Sequence, residues 1–240
     1  MMLLNYEYIK YKILDVLTEC KIYSFPIDCF QLLEHYGYRI FKYNEIRKKN
    51  PDLYKLCMHY TEDAFHYRTS KIVAYDETKS VYRIRFSLMH ELGHIILEHN
   101  NGAPQEEQEA NFFSSNILAP RMVIHYGNCK NRSDVSELFK ISEEAADIAY
   151  NDYKRRYRYY ASQKMAKTLD IITYDHFYNK KEQQFIYQIS ACECCGKTIY
   201  NTKDTLCDSC FTANEVPLRY ENFKLERDFL VAEHNWLYGE

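Results

Sequence analysis

Apolar positions recur at helical intervals over residues 5–19, and again from Pro26 to Tyr36, where Ser24 precedes the run and Gly37 closes it. Tyr38–Tyr43 and Lys71–Tyr75 switch to a strand-like pattern, and Cys57–Arg68 reads as a further strand or hairpin. Ser80 then opens a stretch in which Ile84, Leu88, Leu92, Ile95 and Ile96 share one helical face, which predicts a long, largely buried helix. Asn100-Asn101-Gly102-Ala103-Pro104 breaks it. A second helix is predicted over about residues 105–118, stopped by Pro120 and packed antiparallel on the first. Ser133 to Tyr150 reads as two short helices, the second capped by Ser142 with acids in its first turn. From Leu218 onward Phe223, Leu225, Phe229, Leu230 and Trp236 again fall at roughly helical intervals. Helices grouped around a small sheet make the predicted fold class α+β.

Composition narrows this picture. The 240 residues are 46% hydrophobic, enough for one substantial core and a small appendage. A net charge of −3 gives no global drive toward nucleic acid. No leader-like pattern opens the chain and no stretch approaches about 18 uninterrupted apolar residues, so a cytoplasmic protein with no membrane partner is expected. In a reducing compartment the cysteines belong to buried positions or metal sites rather than disulfides. Cys20, Cys29, Cys57 and Cys129 are scattered, while five others cluster near the C-terminus.

His90-Glu91-Leu92-Gly93-His94 adds chemistry to the long predicted helix. Imidazoles four residues apart lie on one helical face, about one turn apart, and two neutral ring nitrogens so placed can share Zn²⁺. Glu91 is beside them and is not a ligand; its carboxylate can take a proton from the attacking water and hand it to the leaving amine. Gly93 costs about 1 kcal/mol relative to Ala inside a helix, a cost tolerated where a neighbouring backbone must come close. The metzincin pattern is excluded, because it needs Gly and His where this chain has Leu97 and Asn100. His99, five residues past His94, should be rotated off the ligand face and is expected at the helix end or the surface.

The second helix offers Glu106, Glu107 and Glu109 as a third ligand. Glu107 fits best: Ala110, Asn111 and Ser114 follow it at small-residue positions on the same face, whereas Glu106 and Glu109 share faces with Phe113 and Phe112. The other two are explained by a preference for acids near a helix N-terminus.

The run Arg85-Phe86-Ser87-Leu88-Met89-His90-Glu91-Leu92-Gly93-His94-Ile95, with Glu107-Gln108-Glu109-Ala110-Asn111-Phe112-Phe113 and Ile117-Leu118-Ala119-Pro120, resembles the ImmA/IrrE family of bacterial metallopeptidases. The resemblance covers about residues 20–160. It implies a zincin-like core with the active helix beside a small sheet, catalytic-zinc ligands His90, His94 and Glu107, and Glu91 as the catalytic carboxylate. It further implies an anti-repressor type of zinc endopeptidase, whose protein substrate is a helix-turn-helix repressor of a prophage, mobile element or stress regulon. Ser114 departs from the usual Ala, a change conservative in size.

Two further modules are read after that core. The helices at 133–150 look like a helix-turn-helix, followed by the basic run Lys154-Arg155-Arg156-Tyr157-Arg158 with Lys164 and Lys167. Glu143, Glu144 and Asp147 would repel phosphates from its recognition helix, so packing on the core is favoured over DNA binding. Cys192-Glu193-Cys194-Cys195 and Cys207-Asp208-Ser209-Cys210 form two Cys-x-x-Cys knuckles, and Cys192, Cys195, Cys207 and Cys210 can close a tetrahedron around a structural zinc, with a hairpin expected over Thr198–Leu206. Cys194 is the spare. The expected organisation is a metallopeptidase domain over 1–128, a helical helix-turn-helix-like segment over 129–185, a zinc ribbon over 186–215 and a helical tail over 216–240. One catalytic and one structural Zn²⁺ follow. The competing reading is a non-proteolytic regulator that binds a repressor or DNA through the helical segment and ribbon. Oligomeric state leaves no trace in the sequence.

Overall fold

The computed structural model describes residues 6–60, 63–100, 102–163 and 168–213. The expected tail at 216–240, Lys164 and Lys167 lie outside the described residues. Contacts divide the chain into two compact units, residues 1–187 and 188–240.

In the first unit, α1 (Tyr6–Glu19) buries Ile9, Ile13, Val16 and Leu17. α2 (Cys29–His35) starts later than the apolar pattern suggests, because the Asp28 carboxylate accepts from the N–H groups of Phe30 and Gln31 and fixes the helix start there. β1 (Arg39–Lys42) ends before Tyr43 for a similar reason. The Glu45 side chain accepts from Lys42 N–H at 3.0 Å and turns the chain into α3 (Tyr43–Lys49). The expected strand or hairpin over 57–68 is only partly present. α4 (Pro51–Tyr60) occupies its first part, opened by Pro51 at the first helical position and by Asn50, whose Oδ1 accepts from Leu53 N–H.

What remains is β2 (Ala64–Tyr67), which pairs antiparallel with β3 (Ile72–Tyr75), while β1 pairs parallel with β3. The order β1-β3-β2 leaves β3 central, with Val73, Ala74 and Tyr75 buried, and β2 at an edge. Against this sheet lies α5 (Val81–Ile96), capped by Ser80, whose Oγ accepts from Arg83 N–H. Leu88, Met89 and Leu92 of α5 are completely buried, each contributing about 1.5–3 kcal/mol of apolar transfer.

α6 (Pro104–Leu118) packs on α5, with Pro104 at its first turn. His94 meets Glu107, Gly93 meets Ala110 and His90 meets Asn111, so the index on one helix falls as the other rises and the pair is antiparallel. A Cβ on Gly93 would lie 3.2 Å from Ala110 Cα and 3.3 Å from its carbonyl oxygen, so Gly93 sets how closely the two backbones approach. The Ser114 hydroxyl, fully buried, donates to Asn111 O at 3.0 Å, which explains why Ser is accepted there.

α7 (Arg121–Tyr126) and α8 (Arg132–Phe139) follow, then α9 (Glu143–Gln163). α9 is 21 residues long rather than short, because nothing between Tyr150 and Gln163 breaks it and its basic stretch simply continues the helix. α8 and α9 pack on each other, and α9 packs on α6 and α7. Val135, Phe139, Ala146 and Ala149 join Leu88, Leu92, Phe113 and Ile117 in one apolar cluster. Arg85 ties these parts together. Its guanidinium donates to Ile27 O ahead of α2, and to Phe139 O and Lys140 O, satisfying carbonyls at the end of α8. α10 (Thr168–Phe177) and a hairpin of β4 (Tyr178–Asn179) and β5 (Gln184–Phe185) complete the unit.

The described part of the second unit holds β6 (Ile189–Ala191) and β7 (Thr198–Tyr200), paired antiparallel. The hairpin therefore closes around the first cysteine knuckle instead of spanning Thr198–Leu206. Cys192 N–H donates to Lys197 O and Gly196 N–H to Cys192 O, so the knuckle is itself the turn, and Gly196 supplies its left-handed residue at φ +72°.

Candidate metal centre

His90 and His94 occupy successive turns on one face of α5, and α6 brings Glu107 to the same point. The two Nε2 atoms are 3.0 Å apart. Glu107 Oε2 is 3.2 Å from His90 Nε2, and Oε1 is 3.4 Å from His94 Nε2. Tetrahedral zinc with bonds of about 2.0–2.1 Å needs ligand atoms about 3.3 Å apart. The three side chains therefore form a triangle that fits zinc as it stands. Burial, reinforced by His90, His99 and His66, pushes the His94 imidazole down to about 3, so its nitrogen lone pair is available at neutral pH.

The three candidate glutamates have three different surroundings. Glu106 turns back to cap the helix, accepting from Ala103 N–H at 3.1 Å and Asn100 N–H at 3.3 Å. Glu107 completes the triangle. Glu109 points to His99, whose Nε2 is 3.1 Å from its Oε2.

Glu91 is buried beside the triangle, and His66 on β2 donates from Nδ1 to its Oε2 at 2.6 Å. These groups line a cleft of about 730 Å³ between β2 and the helices, walled by Ala64, Phe65 and His66 on one side and Phe86, His90 and Asn111 on the other.

Sequence reasoning missed three contributors. His66 carries no local motif, and only the β2 pairing places it over Glu91. Asn111 does more than fill a small-residue position, since its Oδ1 accepts from His90 Nδ1–H at 3.0 Å. His99 stands at the helix end as expected but is not on the surface, since its side chain is 7% exposed. Counting helical rotation past residue 96 misplaces it, because the helix has already stopped.

The second cluster lies in the C-terminal unit. Cys192, Cys195, Cys207 and Cys210 bring one sulfur each within 4.8 Å of the others. Cys195 and Cys207 Sγ are 3.7 Å apart, and tetrahedral zinc with bonds of about 2.3 Å separates sulfurs by about 3.8 Å. Cys207 N–H donates to Cys192 Sγ, and this N–H, with those of Cys195 and Cys194, pulls the Cys192 thiol down to about 6. Cys194 is exposed and outside the cluster. Two distinct clusters, one of His and Glu and one of four Cys, thus suit one catalytic and one structural zinc.

Residues 49–151 match the family profile Peptidase_M78, described as an IrrE N-terminal-like domain. No curated protein matches the sequence. Among solved structures, a Mycobacterium tuberculosis transcriptional regulator is similar at a TM-score of 0.41 and 12% identity, over 58% of this chain and 45% of that one. The chain thus spans less than half the length of that regulator.

Proposed function

We propose that the chain, whose residues 49–151 match the IrrE N-terminal-like domain of Peptidase_M78, is a zinc endopeptidase that cleaves a helix-turn-helix transcriptional repressor. The repressor belongs to a prophage, a mobile element or a stress regulon, and the reaction takes place in the cytoplasm. Among the described residues no helix is long and apolar enough to cross a membrane. The observation that carries the proteolytic reading is the convergence of His90, His94 and Glu107 on one point, with Glu91 alongside.

Zinc held by His90, His94 and Glu107 would supply Lewis acidity for the scissile carbonyl and for water. Glu91 accepts the proton of the attacking water and delivers it to the amide nitrogen as the C–N bond breaks. The His66 N–H holds Oε2 of that carboxylate and leaves Oε1 for the water. His90 and His94 would hold the zinc through Nε2, their orientation set at Nδ1. The edge strand β2 forms one wall of the cleft, so an extended peptide can add to it as a further strand and be held across the triangle. Cys192, Cys195, Cys207 and Cys210 would hold a second zinc through four thiolates, which suits a structural role.

The test incubates the purified full chain with the helix-turn-helix protein encoded beside it, with and without a chelator. Cleavage is expected, and is lost both with chelator and in Glu91→Gln, which keeps its zinc. Regulatory activity that persists unchanged in Glu91→Gln would replace this reading by the non-proteolytic one.

A further inference from the structure

α5 ends in a reversal that throws His99 back over His94. Glu98 is left-handed at φ 57°, Glu98 N–H donates to Ile95 O at 3.3 Å, and His99 N–H donates to His94 O at 3.0 Å. These are the paired bonds of a Schellman motif. Arg68, from the turn after β2, donates to the carbonyls of both His94 and His99 and to Asn100 Oδ1, which clamps the reversal in place. His99 Nδ1 comes to 3.0 Å from His94 Nδ1. On its far side, His99 Nε2 faces Glu109 Oε2, and Gln105 donates to the other oxygen of that carboxylate.

We propose that Glu109 and His99 are positioning residues that set which nitrogen of His94 carries the proton, and so prepare the zinc ligand. The logic runs inward from Glu109. A carboxylate only accepts, so the His99 proton resides on Nε2 and its Nδ1 is bare. A bare Nδ1 accepts, so the His94 proton resides on Nδ1 and its Nε2 lone pair is directed at the triangle with Glu107 and His90. Reversing the chain would place the lone pair of His99 Nε2 against the Glu109 carboxylate and a proton on His94 Nε2, where zinc needs a lone pair. One acidic side chain two hydrogen bonds away therefore selects the ligating tautomer. Outer partners of this kind are worth roughly 10- to 100-fold in metal affinity.

The inference rests on the zinc reading of the site, and the two can fail separately. Zinc affinity is measured on the full chain by chelator competition. The difference between each variant and the same variant carrying His90→Ala isolates this site from the thiolate cluster. In parallel, ¹⁵N NMR of the His94 ring reports its tautomer before and after zinc is added. His99→Phe, which keeps a ring but no nitrogen, is expected to bind zinc roughly 10- to 100-fold more weakly and to show His94 in mixed tautomers. Glu109→Gln is nearly isosteric and is expected to move both readouts in the same direction; it carries the test if His99→Phe does not fold. A Nδ1–H tautomer of His94 that persists in Glu109→Gln, with unchanged zinc affinity, overturns the proposal. A zinc stoichiometry that His90→Ala leaves unaltered overturns the metal reading instead.

Discussion

Gly93→Ala probes how the spacing of two helices sets the metal triangle. Alanine is favoured over glycine in a helix by about 1 kcal/mol, so propensity alone predicts a more stable chain. The new Cβ, however, would sit 3.2 Å from Ala110 Cα, 3.2 Å from Phe113 Cδ1 and 3.3 Å from Ala110 O. Two of these are backbone atoms of α6 and cannot swing aside. Restoring an ordinary carbon contact of about 3.7 Å requires α6 to retreat by about half an ångström. Overpacking of this kind costs about 1–3 kcal/mol, so the net change is about 0–2 kcal/mol destabilising. Glu107 rides on α6 less than a turn from Ala110. Its separations of 3.2 and 3.4 Å from the two imidazoles would widen past the roughly 3.3 Å that tetrahedral zinc requires. Thermal melting without added zinc should therefore show an unchanged or lower Tm, by roughly 2–4 °C per kcal/mol, while chelator competition shows weaker zinc binding. A raised Tm together with full zinc affinity would refute the argument, since it would mean that the helices are not in limiting contact at Gly93.

His66→Gln should lower kcat while leaving zinc content and fold intact, because the hydrogen bond of His66 goes to Glu91; a parallel loss of zinc in metal analysis would contradict this. Cys207→Ser should remove one zinc equivalent and leave the His90-dependent equivalent in place, as read by metal stoichiometry. His176 is held below the usual histidine value of 6.5 by burial, opposed by its hydrogen bond to Ile22 O. With a lowered folded-state value the unfolded chain binds the proton first, so this stability is present above about pH 6.5 and is lost as pH falls toward the folded value. Tm measured at about pH 7 and about pH 5.5 should differ less in His176→Gln than in the parent chain.

The α+β class, the two central helices and their breakpoints were legible because periodicity, Ser80, Pro104 and Pro120 all agree locally. The convergence of His90, His94 and Glu107 was legible for a related reason, since a one-turn spacing and a short connection leave few other arrangements. The strand limits were not. Asp28, Glu45 and Asn50 start helices through side-chain bonds that a hydrophobic pattern does not register. His66 became visible only through pairing with β3, a contact distant in sequence from α5. His99 stands past the helix end and outside the ligand triangle as expected, but its burial against His94 was not legible, because rotation by a fixed angle per residue ceases to apply once Glu98 turns left-handed. The cysteine spacing announced a cluster, but the place of the hairpin depended on which N–H groups close the first knuckle.

The threefold grip of Arg85 bears on how far the chain can be shortened. Two of its acceptors, Phe139 O and Lys140 O, come well after the last residue of the metal triangle. A fragment truncated ahead of them would leave a cation stranded on the active helix and strip Val135 and Phe139 from the apolar cluster behind it. The smallest piece worth expressing for catalysis therefore carries α8 and α9 as built-in buttresses, whatever else those helices contact in the cell.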